Sequence, residues 1–105
     1  MVEFRESGRS DGGCVLHVEG EFDLAVVDEF LEWALPCVEG ADAVEIDLQG
    51  VSFIDSSGLG ALVRVRNDAV AQGKPLTLVN PSHATLRLLE LTGLRDVFDT
   101  RSDQA

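Results

Sequence analysis

The feature that most narrows the fold lies between residues 44 and 70, where a strand pattern passes through a single turn into a helical one. Val44, Ile46 and Leu48 alternate with Glu45 and Asp47, the period-two pattern of a strand buried on one face. Farther on the spacing changes, and Leu59, Leu62, Val63, Arg66, Ala69 and Val70 trace a helix whose stripe faces a sheet. Between them stands Val51-Ser52-Phe53-Ile54-Asp55-Ser56-Ser57-Gly58, with a carboxylate, two hydroxyls and a glycine at the junction. Such residue types suit a helix start, where side-chain oxygens accept hydrogen bonds from N–H groups that have no intrahelical partner. A cap needs one hydroxyl. The second is left for another role.

The rest of the chain repeats this unit. Val2 to Phe4 reads as a short edge strand, and the glycines and small polar residues of 7–13 read as a loop. Cys14 to Gly20 is a strand with Cys14, Leu16 and Val18 on one face and Val15, His17 and Glu19 on the other. Gly20-Glu21-Phe22-Asp23 breaks it, and Asp23 is placed to cap a helix from Leu24 that carries Val27, Phe30, Leu31, Ala34 and Val38 at helical spacing. Asp23 and Asp28 suit the positive end of that helix. Pro36 removes an N–H and crowds the carbonyl four residues back, so the helix is expected to end near Leu35 or kink there. Lys74 to Val79 is the next strand. Asn80-Pro81 resembles a cap followed by a first-turn proline, and Ala84 to Leu91 carries the last helix. Gly73 and Gly93 suit the left-handed positions that close two of the helices. Asp96 to Asp99 reads as a final short strand, with order ending near residue 99 and a frayed tail to Ala105.

The order β-β-α-β-α-β-α-β implies one α/β domain over residues 1–105. Its sheet is mixed but mainly parallel, with four to five strands, helices packed on it and right-handed crossovers. In such sheets, sites gather at the carboxyl ends of strands beside helix N-termini. The turns at 20–23 and 53–57 both follow strands and can therefore lie side by side on one rim.

Charge excludes several partners. The chain has a formal net charge of −11, and residues 1–55 hold 14 acids against 2 basic residues. Nucleic acid and anionic membrane surfaces call for clustered lysine and arginine, so neither is expected. No apolar run approaches the roughly 18–20 residues of a bilayer span. The first residues show neither a basic region nor an apolar core of a secretory signal, so a cytoplasmic location is expected. Cys14 and Cys37 fit no metal or redox spacing and read as reduced, packed residues.

The rim chemistry follows by elimination. The G-x-S-x-G nucleophile elbow is absent, and neither His17 nor His83 is placed at the rim to act as a base, so no enzymatic role is expected. Glu21, Asp23 and Asp55 are hard oxygen donors, but Asp23 is accounted for by capping; no metal or other cofactor is expected. The pair Ser57-Gly58-Leu59-Gly60 lacks the lysine of a phosphate-binding loop. A hydroxyl that is itself the substrate of another protein remains. A phosphate on Ser56 would meet unpaired N–H groups at a helix start and add about −1.5 to −2 charge to an acidic rim.

Three motifs carry a family resemblance: Gly20-Glu21-Phe22-Asp23 after the early strand, Phe53-Ile54-Asp55-Ser56-Ser57-Gly58-Leu59-Gly60, and the late Leu88-Leu89-Glu90-Leu91-Thr92-Gly93-Leu94. In order and spacing the chain resembles the STAS domain family, and within it the bacterial anti-sigma factor antagonists. The resemblance implies a protein that binds an anti-sigma factor when unphosphorylated and so frees a sigma factor. The anti-sigma factor would itself be a serine-protein kinase that phosphorylates Ser56, and a PP2C-type phosphatase would reverse this. Glu21, Asp23, Asp55, Ser56, Ser57, Gly58 and Leu59 are the implied partner surface, with Asp55, Ser57 and Gly58 shaping the turn. The alternative is a STAS subunit of another assembly, such as a lipid-transport complex, in which Ser56 only caps.

Overall fold

A computed structural model describes residues 2–103. Five strands, β1 (Glu3–Gly8), β2 (Cys14–Phe22), β3 (Val44–Ile54), β4 (Leu76–Val79) and β5 (Asp99–Arg101), form one sheet in chain order. Three helices connect them: α1 (Val27–Gly40), entered through a 3-10 turn at Leu24–Val26, then α2 (Ser56–Ala71) and α3 (His83–Leu91). Only β1–β2 is antiparallel; β2–β3, β3–β4 and β4–β5 are parallel. The mainly parallel mixed sheet expected from the sequence is present.

Each crossover moves one strand farther in the same direction, which for right-handed connections places every helix on the same face. Accordingly one core joins Leu16 and Val18, Val44, Ile46 and Leu48, and Leu76 and Leu78 to Phe30, Ala34 and Val38 of α1, Leu62 and Val65 of α2, and Leu89 of α3. Phe4 seals its β1 edge, stacked on Trp33 at 5.0 Å and edge-on to Phe30 at 5.8 Å. The alternate strand residues, including His17, Glu45, Asp47 and Thr77, form a second, partly exposed face.

Several boundaries differ from the sequence reading. β1 runs on to Gly8, because Ser7 pairs with Val15 and Gly8 with Cys14, so the loop shrinks to residues 9–13. Neither β2 nor β3 stops at its glycine. Gly20, at φ +98°, precedes a register shift, and the ladder resumes at Glu21–Phe53 and runs to Phe22 and Ile54, both of which reach the core. Another shift, between His17 and Glu19, takes up the extra residue between Asp47 and Gly50, leaving β3 continuous over 11 residues. The buried stripe of α2 is Leu59, Ala61, Leu62, Val65 and Ala69, whereas Val70 is exposed.

Pro36 does not end α1, which continues to Gly40. Val38 is fully buried one half-turn beyond the proline, and Lys74 Nζ donates to the Val38 and Glu39 carbonyls at 2.6 and 2.8 Å. Core packing and this lysine cap offset the missing N–H. Asn80 is not the cap of α3: it lies at φ +52° and its Oδ1 accepts from Asp103 N–H, while Ser82 Oγ accepts from Thr85 N–H and starts the helix at His83. The last strand falls at 99–101 rather than 96–99, and the tail is pinned as far as Asp103. Arg101 donates to both oxygens of Glu45, at 2.8 and 3.0 Å, and to Asp103. Gln104 and Ala105, also assigned to the frayed tail, lie outside the described residues.

Candidate functional site

The carboxyl ends of β2 and β3 meet at the start of α2. Phe22 pairs with Ile54, and Asp55 N–H donates to the Phe22 carbonyl at 3.4 Å. Asp55 is extended at φ −112° and is the N-cap; its Oδ1 accepts from Gly58 N–H at 3.0 Å. The capping group is therefore this carboxylate and not one of the two serines. A full negative charge at a helix N-terminus outdoes a hydroxyl there, since the N–H dipoles point at it. Ser56 and Ser57 become the first two helical residues, Ser56 exposed and Ser57 half-buried.

Gly58 shows why this junction is so tight. A Cβ at this position would lie 2.5 Å from the Phe22 carbonyl oxygen and 3.1 Å from Ile54 Cγ1. A side chain would push α2 away from the end of β2, so glycine sets how closely the two turns abut. Leu59 is 2% exposed and packs into the core, which fixes the helix without presenting a surface. Of the seven residues expected at the rim, Gly58 and Leu59 thus support it from beneath. Glu21 and Ser56 are exposed, and Asp23, Asp55 and Ser57 are half-buried.

On the neighbouring turn, Asp23 Oδ1 accepts from Ala25 N–H at 3.0 Å and caps the 3-10 turn, as its position suggested. Glu21 stands opposite Phe53 in the β2–β3 ladder. Residues 10–63 contain no lysine or arginine, so the segments that build this rim bring three carboxylates and no fixed cation. Two apolar side chains were not singled out by sequence: Leu24 is 72% exposed and Phe53 50%. The available signal was the break in alternation after Val51. Buried Val51 and Ile54 are three apart, which turns the intervening Ser52 and Phe53 outward.

A separate polar chain crosses the helix-free face. Ser7 Oγ and His17 Nε2 are 3.0 Å apart, and His17 Nδ1 lies 3.1 Å from Asp47 Oδ2. His17, which has no partner nearby in sequence, therefore gains two in space. They sit on adjacent strands, so the imidazole clamps β1, β2 and β3 together well away from Ser56. Among the described residues, no group of three or more His, Cys, Asp or Glu side chains converges as a metal site. Among the described residues, no helix is long and apolar enough to cross a membrane.

Comparison with known proteins places this geometry. The sequence profile of the STAS domain matches residues 4–105. The anti-sigma-B factor antagonist of Bacillus subtilis (strain 168) is 34% identical over 91 residues, covering 87% of this chain and 84% of that protein. An anti-sigma factor antagonist from Mycobacterium paratuberculosis superposes with a TM-score of 0.85 at 26% identity, over 96% of this chain and 86% of that one. The Bacillus cell fate determinant SpoIIAA in its phosphorylated form shares the fold, with a TM-score of 0.75 at 19% identity over 96% and 93% of the two chains.

Proposed function

The chain belongs to the STAS domain family, and on that premise we propose that it is an anti-sigma factor antagonist switched by phosphorylation of Ser56. Unphosphorylated, it docks its rim on an anti-sigma factor and frees the sigma factor that this partner held. The partner is also the serine-protein kinase that ends the contact, and a PP2C-type phosphatase restores it. The chain is ligand and substrate of these proteins, catalyses nothing itself, and works in the cytoplasm where ATP and sigma factors are found.

The observation that carries this reading is the position of Ser56: exposed, first in α2, and directly after a capping aspartate. A phosphate there reaches the helix N-terminus without entering the core, so the fold tolerates it. Its charge falls beside Glu21, Asp23 and Asp55. A docked partner then faces added like charge and the desolvation of a dianion, so the switch needs little internal rearrangement.

Incubation with the cognate kinase and ATP, followed by phosphosite mapping, tests the assignment. Phosphate is expected on Ser56, and Ser56→Ala should hold the anti-sigma factor whether or not ATP is present. ATP-dependent release of that variant, or phosphate on a different residue, overturns the assignment. Ser56→Asp should weaken binding less than phosphate does, since one carboxylate supplies a smaller charge.

A further inference from the structure

Resting on the reading above, we infer that Leu24 and Phe53 are the apolar anchors by which the anti-sigma kinase grips this rim, and that the partner meets them with an apolar depression bordered by basic side chains. Among the described residues four large hydrophobics are left exposed: Leu24, Phe53, Val70 and Leu91. Two of the four stand at the rim. Leu24 follows the capping Asp23 directly, and Phe53 is two residues before Asp55 and three before Ser56. The Phe22–Ile54 pair ties the two turns together, with Leu24 two residues beyond Phe22 and Phe53 just before Ile54.

Neither side chain belongs to the buried core. Phe22 and Ile54, their neighbours, already fill the core, and the core is closed by Phe4, Phe30 and Trp33. Leu24 at 72% and Phe53 at 50% exposure each leave a large apolar surface in water at the rim, which a docked partner would cover. Charge selects what that is. Glu21 pairs with Phe53 across the ladder, Asp23 immediately precedes Leu24 and Asp55 caps α2, with no lysine or arginine in the segments that form the rim. A second copy of this chain would bring the same carboxylates against them, whereas a basic-rimmed protein surface meets them with complementary charge. Apolar anchors beside polar and charged neighbours are the usual arrangement of an interface whose affinity rests on a few side chains.

The division of labour is then specific. Phe53 and Leu24 supply affinity, the carboxylates supply orientation and association rate, and Ser56 beside them supplies the veto. Because the kinase that modifies Ser56 is the protein being held, the same two side chains also govern how well Ser56 is phosphorylated.

The test uses the full chain and its cognate anti-sigma kinase. Affinity is measured by calorimetry, and the initial rate of Ser56 phosphorylation is measured at sub-saturating kinase. Phe53→Ser and Leu24→Ser are each expected to raise Kd by roughly tenfold or more, with a matching fall in phosphorylation rate. Phe53→Leu should retain most of the binding. Val70→Ser and Leu91→Ser, which alter exposed hydrophobics elsewhere, should bind as the wild type does. Thermal melts should show every variant folded at the assay temperature, separating lost contact from lost fold. Wild-type-like binding by both rim variants, or an equal loss in Val70→Ser, overturns the inference while leaving the switch at Ser56 standing. Failure of the wild-type chain itself to bind any anti-sigma kinase instead removes the functional reading, and the anchor assignment with it.

Discussion

At the level of single residues, the junction after β3 depends on Asp55 and Gly58 more than on its hydroxyls. Asp55→Ala removes the oxygen that accepts from Gly58 N–H and should lower unfolding free energy by about 1 kcal/mol, read by urea titration. Gly58→Ala should cost more, about 1–3 kcal/mol, because the new methyl meets the backbone of Phe22 rather than a side chain able to swing aside. An unchanged midpoint for Gly58→Ala would show that α2 can shift outward freely. The sequence made the residues of this turn legible as a group, since Asp, Ser and Gly together mark a helix start. It could not say which oxygen caps. That depends on backbone dihedrals and on the nearby Phe22 carbonyl, a residue more than 30 positions away.

Among the elements, α1 departs most from its local code. Proline within a helix interior costs about 3 kcal/mol against alanine in isolated helices, yet α1 runs four residues past Pro36. Pro36→Ala should therefore raise the urea midpoint, by an amount equivalent to about 1–3 kcal/mol, with no change in helix content by circular dichroism. Lys74→Met should lower it by about 1–2 kcal/mol, since two carbonyls at the end of α1 lose a charged donor. Periodicity located each of these helices because their apolar stripes are local. The continuation of α1 was hidden because its support, Lys74, comes from the connection between α2 and β4. The same holds for β3 and β5. Neither the bulge that carries β3 through Gly50 nor the Glu45–Arg101 pair that anchors β5 is visible within any short window.

For the whole molecule, the thiols of buried Cys14 and half-buried Cys37 give stability a basic limit. Burial pushes the Cys37 thiol from near 9 up to about 11, and raises Cys14 as well. A raised thiol pKa means that the unfolded chain gives up its proton first. The contribution is intact below about pH 9 and declines as pH rises toward 11. The urea midpoint should fall across that window, and Cys37→Ser should flatten the slope; an equally steep slope in the variant would assign it to other groups. At neutral pH the same thiol should react slowly with iodoacetamide. On the acid side, Arg9 and Arg101 hold the exposed carboxyls of Asp11 and Asp103 below the usual range, so these two favour folding above about pH 4 and cease to as pH falls through their native pKa values.

The coincidence of strand order with chain order has a consequence for how the molecule is made. Every strand after the first pairs with its predecessor, so no ladder waits for a distant part of the chain to be synthesised. A nascent chain can add one strand and one helix at a time, and the growing edge at each stage is the one its next strand covers, while β1 remains the other edge throughout. The rim around Ser56 is complete once α2 has docked on β2 and β3, before α3 and β5 exist. Recognition surface precedes finished domain.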